Sequence, residues 1–271
     1  MMMARHGTEQ DDCVLFAVEH GIGRITLNRP DRLNALSLAM HHRLSAILDE
    51  IERRNDLRVL LLIGAGRAFC AGQDLSERPV EQTGAPLDLG ESLELRYNPL
   101  VRRLMAVNVP LLCAVNGVAA GAGAGLALLA DMVIAAESAR LILSFTRIGL
   151  MPDCGVSWLL PRLIGQPRAL GMALTGDAIP ARQAEAWGMI WQAVPDAAFS
   201  STVEAMLQTL AQAPTQALMA TRHAMRGAWL RDLDAQLELE RDEQRRLGLT
   251  EDYREGVSAF RDKRQPQFRA R

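Results

Sequence analysis

The chain has 271 residues, 49% of them apolar and 23% charged, with a formal net charge of −2. This is ordinary globular usage over a length that suits one large domain, or one domain with an appendage. The near-neutral balance and the 4% of aromatic residues exclude a basic field or a stacking platform for nucleic acid. No run of about 18 apolar residues offers a membrane span. Cys13, Cys70, Cys113 and Cys154 are widely spaced with no C-x-x-C pair, which speaks against a metal site, and four free thiols fit a reducing cytoplasm. Residues 1–12 are polar, without the apolar core of a secretory signal.

Residues 13–19 and 23–28 read as two strands joined near Gly21 and Gly23, and Asn28-Arg29-Pro30-Asp31 as a turn. Over residues 37–53, Leu38, Leu44, Ile47, Leu48 and Ile51 form a helical stripe behind Ser37 as N-cap. Residues 59–63 are a continuous apolar run, the mark of a buried strand. Residues 77–90 hold two prolines and two glycines among charges and read as a loop or lid. Residues 91–107 predict one helix disturbed at Pro99, and strands follow at 111–115, 132–136 and 141–143. A helix begins after Pro152-Asp153-Cys154-Gly155 and runs to about Ile164; shorter helices follow at 166–174 and 181–187, with a strand at 190–194. From residue 200 the pattern is helical, with breaks near Pro214, Gly227 and Gly248. The chain is thus α/β over 1–195 and all helix over 196–271, which sets the expected domain boundary.

Two glycine-rich segments each follow a strand. Asn116-Gly117-Val118-Ala119-Ala120-Gly121-Ala122-Gly123-Ala124-Gly125 comes after the strand at 111–115 and opens an apolar helix. Small residues there allow close backbone approach, and the free N–H groups of a helix start can face an anion or a polarised carbonyl. Gly66-Arg67-Ala68-Phe69-Cys70-Ala71-Gly72-Gln73-Asp74-Leu75, after the strand at 59–63, is the candidate for a second donor. The glycine spacing fits neither a dinucleotide fingerprint nor a phosphate-binding loop. The plain alternative is tight helix–strand packing with no ligand.

Asp153 precedes an apolar helix, where an aspartate most often caps by accepting a helix N–H. As a general acid/base it would need the apolar surroundings that Leu150, Met151, Val156 and Trp158 offer. Capping lowers a carboxyl pKa and apolar burial raises it, so the two readings pull apart. His6, His20, His41, His42 and His223 form no i, i+4 pair and flank no glycine segment, so surface or packing roles are expected. Arg261, Lys263, Arg264, Arg269 and Arg271 make a basic tail, either a solvated helix end or a phosphate contact.

These segments together resemble the enoyl-CoA hydratase/isomerase (crotonase) superfamily over nearly the whole chain. Asn28-Arg29-Pro30 with Asn34-Ala35-Leu36, Ala68 to Leu75, and Ala114-Val115-Asn116-Gly117 with Gly121-Ala122-Gly123 carry the likeness. It implies a ββα spiral core, a C-terminal helical region that builds trimers or dimers of trimers, and acyl-CoA thioester substrates. No separate cofactor is implied, since coenzyme A is part of the substrate. By the same resemblance the backbone N–H groups of Gln73 and Ala122 form an oxyanion hole for the thioester oxygen. Arg32, Leu33, Ala71, Asp74 and Leu75 line the CoA site, and Phe260 and Lys263 close over the CoA of their own or a neighbouring subunit. Hydratases of the family hold water with two glutamates, and aligning the motifs puts Gly125 and Phe145 at those places. Asp153 stands where isomerases of the family carry an aspartate, which shifts its reading from cap towards catalysis. An isomerase is therefore expected, with a hydratase or a non-catalytic acyl-CoA-binding protein as the alternatives.

Overall fold

The computed structural model describes residues 12–77 and 88–269, and two β-sheets organise them. The larger has six strands in the order β1 (Val14–Glu19), β2 (Ile22–Leu27), β3 (Val59–Gly64), β5 (Leu111–Val115), β7 (Met132–Ala136) and β10 (Gln192–Val194). The smaller has β4 (Ala68–Cys70), β6 (Val118–Ala120), β8 (Arg140–Ile142) and β9 (Ala178–Pro180). Only the pairs β1–β2 and β8–β9 are antiparallel; the other pairings are parallel. A parallel strand covered on both faces carries a continuous apolar sequence, and β5, Leu-Leu-Cys-Ala-Val, is buried at every residue. Edge strand β1 instead alternates between buried or half-buried and exposed positions.

Eleven helices complete the described residues: α1 (Leu38–Arg53), α2 (Leu89–Ser92), α3 (Asn98–Ala106), α4 (Ala122–Leu128), α5 (Val156–Ile164), α6 (Gln166–Thr175), α7 (Ala181–Ala186), α8 (Phe199–Gln212), α9 (Thr215–Gly227), α10 (Leu233–Leu247) and α11 (Glu251–Arg261). The strand pairs β3–β4, β5–β6 and β7–β8 each place one strand in the large sheet and one in the small sheet before a helical segment. This is the expected ββα spiral. Ser37 caps α1, its hydroxyl accepting from the Met40 N–H at 3.2 Å. Met40, Leu44, Ile47, Leu48 and Ile51 form the buried stripe of that helix.

The strands end at Val194, but α8 still packs on the large sheet, burying Phe199, Val203 and Leu207 against β3 and β7. Arg58, at the start of β3, donates to the Ala213 carbonyl at 2.7 Å and ties the end of α8 to the sheet. Helix α9 is held by Asp131, which meets Arg222 at 3.2 Å and Arg226 at 2.8 Å. Breaks near Pro214, Gly227 and Gly248 fall where expected, between α8 and α11. All four cysteines are buried, and none is in a disulfide among the described residues. Among the described residues no helix is long and apolar enough to cross a membrane.

Three expectations need correction or lie out of reach. The helix expected over 91–107 is divided: α2 ends at Ser92, a π turn spans Leu93–Tyr97, and α3 begins at Asn98. Pro99 lacks an N–H and disfavours a helical residue before it, so the register slips where the ring enters. Three-residue strands β4, β6 and β9 are shorter than the run needed to show alternation, and sequence periodicity passed them over. Most of the expected 77–90 loop, residues 78–87, lies outside the described residues.

Candidate active site

Two asparagines, Asn34 and Asn116, hold one backbone segment between them. Asn34 is fully buried; it accepts from the Arg29 N–H at 2.8 Å and donates to the carbonyls of Ala65 at 2.9 Å and Ala68 at 2.8 Å. Asn116 donates to the Gly66 carbonyl at 2.8 Å. Leu33 and Asn34 lie in left-handed backbone, at φ 49° and 56°, a turn that asparagine tolerates and leucine enters at a cost. That turn presents the Leu33 carbonyl to the Ala71 N–H at 2.9 Å. Asp74 is buried and bridges Arg29 at 2.8 Å while accepting from the Ser76 hydroxyl at 2.6 Å. Burial alone would raise its carboxyl; the hydrogen bonds from Ser76 and Arg29 outweigh that and hold it below the ordinary carboxylate value. The Asp74 carboxylate is thus bound up in holding the loop. Arg32 and Leu75 lie at the exposed edge of the same cluster.

The next residues bring the loop at Gly72 against the start of α4. Leu36 and Gln73 form a parallel bridge: the Leu36 N–H donates to the Gly72 carbonyl at 2.7 Å and the Asp74 N–H to the Leu36 carbonyl at 3.0 Å. In such a bridge the peptide groups on either side of Gln73 face Leu36, so the N–H of Gln73 itself points the other way. Gly72, at φ 95°, leaves no room for a side chain: a Cβ there would stand 2.8 Å from the Ala120 carbonyl and 3.5 Å from the Ala122 nitrogen. Its backbone therefore abuts the start of α4. Gly121, at φ 52° and ψ −122°, turns the chain so that Ala122 becomes the first residue of that helix. An N–H in the first turn has no intrahelical acceptor. Among the described hydrogen bonds neither the Gln73 nor the Ala122 N–H donates. The tight-packing reading holds as well, since a Cβ at Gly123 would lie 2.2 Å from the Cys70 carbonyl.

Asp153 is not a helix cap. Helix α5 begins at Val156 with Gly155 at its N-cap, and what accepts the Val156 N–H at 3.0 Å is the Asp153 backbone carbonyl. Cys154 and Gly155 both take left-handed backbone, at φ 52° and 78°, and this turn sets the half-buried Asp153 ahead of the helix. Burial pushes the Cys154 thiol up, and the charge and hydrogen-bond acceptance of Asp153 push it further, so a neutral thiol sits beside that carboxyl. Val156 and Cys154 press on α4: a Cβ at Gly125 would stand 2.8 Å from Cys154 Cβ and 3.2 Å from Val156 Cγ2. Phe145, buried, comes from the other side, its Cζ 3.7 Å from where a Gly121 Cβ would be.

A second feature here was not foreseen. His41, expected to have a surface or packing role, lines a cavity of about 70 Å³ together with Gln73, Ser92, Arg96 and Tyr97. Its ring meets the edge of Tyr97 at 4.4 Å. Burial, helped by Arg96 and His42, lowers its pKa to about 4, so the imidazole is neutral at pH 7. His41 Nε2 and Ser92 Oγ are buried and have no hydrogen-bond partner among the described residues. Such an orphaned atom costs on the order of 1–3 kcal/mol. The sequence held one signal for this: His41 follows Met40 on the buried side of α1.

The depressed His41 pKa carries a sign. Between about pH 6.5 and 4 the unfolded chain takes up a proton that the folded chain refuses, so stability falls as pH drops through that window and levels off below it. Urea unfolding of the wild type against His41→Leu is the check. The loss between pH 7 and pH 5 should be smaller in the variant by roughly 2 kcal/mol. An equal loss in both proteins would remove His41 from the acid response.

Phe260 and Lys263 stand at the end of α11. Phe260 is 86% exposed and borders a groove with Tyr253 and Phe268, and no described hydrogen bond links it to the Arg32–Leu75 cluster. No group of three or more His, Cys, Asp or Glu that could hold a metal ion occurs among the described residues.

The family model for enoyl-CoA hydratase/isomerase matches residues 17–271. The chain belongs to this family. It is 53% identical to a 1,2-epoxyphenylacetyl-CoA isomerase of Escherichia coli K12 over 255 residues, covering 94% of this chain and 97% of that one. It is 38% identical to a 2,3-dehydroadipyl-CoA hydratase of the same organism, covering 91% and 94%. The crystal structure of an enoyl-CoA hydratase from Bacillus anthracis matches with a TM-score of 0.89 at 31% identity, over 96% of this chain and 100% of that one. The fold is therefore the crotonase fold, whose members act on acyl-CoA thioesters. Gly125 is closely packed against Cys154 and Val156, and Phe145 is buried.

Proposed function

We propose that this protein is an acyl-CoA isomerase that converts ring-1,2-epoxyphenylacetyl-CoA to oxepin-CoA, and that it also shifts double bonds between β,γ and α,β positions of enoyl-CoA thioesters. Asp153 takes a proton from the carbon next to the thioester. The charge that develops on the thioester oxygen is met by the N–H groups of Gln73 and Ala122. In the ring epoxide, the carbon–carbon bond shared by the three-membered and six-membered rings opens to give the seven-membered oxepin; in either reaction the same carboxyl returns the proton at another carbon, so no water enters the products. The CoA part runs along Arg32, Leu33, Ala71, Asp74 and Leu75, with Phe260 and Lys263 closing over CoA of the same or a neighbouring subunit. One observation carries the reading: Gly155, not Asp153, stands at the N-cap of α5; by the family resemblance, Gly125 and Phe145 stand where hydratases hold glutamates. The 53% identity to the E. coli isomerase supports the ring-epoxide substrate.

The exposed apolar side chains Met225, Trp229, Leu230, Leu233 and Leu237 on and between α9 and α10 speak for a homotrimer or a dimer of trimers. Sedimentation mass separates three chains from six.

The test is turnover of 1,2-epoxyphenylacetyl-CoA beside crotonyl-CoA. Isomerisation is expected, and water addition to crotonyl-CoA should be slower by about 10²-fold or more, the usual contribution of a positioned acid/base pair. Hydration at a comparable rate would favour a hydratase. Binding without turnover of any acyl-CoA would leave a non-catalytic binding protein.

A further inference from the structure

Gln73 joins the proposed oxyanion hole to the 70 Å³ cavity, because it lines that cavity while its backbone N–H points away from Leu36. On the isomerase reading, the acyl group of a thioester whose oxygen Gln73 holds lies beside a residue of the cavity wall. His41 and Ser92 line the cavity from α1 and the end of α2, at 8% and 5% exposure. Among the described residues, neither His41 Nε2 nor Ser92 Oγ has a hydrogen-bond partner. A water takes about 30 Å³ of liquid volume, so the space takes about two water-sized groups, enough for a small polar function. Tyr97 stacks its edge on the imidazole and fixes the ring against rotation.

We propose that His41 and Ser92 form a polar subsite that hydrogen-bonds an oxygen on the ring of the acyl group, one or two carbons beyond the α-carbon. The inference rests on the isomerase reading for the direction in which the acyl group lies. The neutral imidazole and the hydroxyl can each donate or accept, so the pair can follow an ether-type oxygen through a ring rearrangement without a change of charge. They are positioning and specificity residues, and the proton transfer stays with Asp153.

The probes are two stable thioesters, 2-hydroxyphenylacetyl-CoA and phenylacetyl-CoA, which differ by one ring oxygen. Calorimetry on the full-length protein should show the wild type preferring the hydroxylated ester by about tenfold, the size of one or two net hydrogen bonds. Ser92→Ala, which removes one oxygen atom, and His41→Leu should each reduce that preference to about twofold or less, with phenylacetyl-CoA affinity nearly unchanged. His41→Asn, which keeps an N–H donor, should retain part of it. A wild type that binds both esters equally overturns the subsite. Equal loss of both esters in the folded variants also overturns it, because the two residues would then serve packing alone. Turnover of the ring epoxide by the same wild-type sample reports separately on the isomerase reading. Preference without turnover sinks that reading alone, and turnover without preference sinks the subsite alone.

Discussion

Asp153→Asn is expected to give a folded, CoA-binding protein whose isomerase turnover falls by about 10²-fold or more. The substitution keeps the size of the side chain and an oxygen that can still accept from the Cys154 thiol. It removes the ability to take up and return a proton. If Asp153 capped α5, the same change would appear as a lower melting temperature and leave kcat alone. The structure makes that outcome unexpected, because Gly155 holds the N-cap and the α5 start uses the Asp153 backbone rather than its side chain. The effect should fall on kcat, with KM moved little, since the carboxyl acts on the reacting carbon and leaves the CoA contacts in place. Near-wild-type turnover in the variant would take the acid/base role away from Asp153 and with it the proton transfer proposed here.

The elements legible in the sequence are those whose apolar pattern is long enough to show a period. Strands β3, β5 and β7 are continuous apolar runs, and α1 displays its stripe and its Ser37 cap. The small sheet was mostly hidden, because three-residue strands such as Ala-Phe-Cys and Val-Ala-Ala are too short to show an alternation. Its pairing of β4 with β6 is set by contacts between segments some fifty residues apart. The candidate site divides the same way. Glycines marked Gln73 and Ala122 as backbone that something approaches closely, yet the approach of the two loops depends on Leu36 pairing with Gln73 and on Gly72 packing against Ala120. For Asp153 the local sequence favoured a cap; two consecutive left-handed residues moved the helix start to Val156, and neither Cys154 nor the motif announces that conformation. The cavity at His41 was invisible for a different reason. Its walls come from α1 and from the π turn before α3, and the depth of that histidine depends on how the two pack.

Ala122→Pro should abolish turnover, by about 10³-fold or more, while the protein stays folded and still binds CoA. Proline removes the N–H that is proposed to hold the thioester oxygen, and its ring carbon takes the place of that hydrogen. Removing one donor of an oxyanion hole costs about 10²–10³ in kcat in comparable sites, and the steric block adds to it. Proline is ordinarily a poor probe, because it breaks helices and constrains the residue before it. Here both objections are weak. Ala122 is the first residue of α4, a position where proline is well accepted, and its N–H donates to no described carbonyl. The residue before it is Gly121, whose φ of 52° and ψ of −122° mirror the extended conformation that proline requires of its predecessor. Only glycine adopts that mirror conformation readily. Circular dichroism and calorimetry with CoA, which lacks the acyl carbonyl, establish that fold and CoA site survive. Ala122→Val is the companion: it keeps the N–H, crowds the oxygen, and should lower kcat/KM strongly with CoA affinity unchanged. If both variants fold, bind CoA and turn over normally, Ala122 does not face the thioester. The glycine-rich segment is then close packing of α4 against β4 and nothing more.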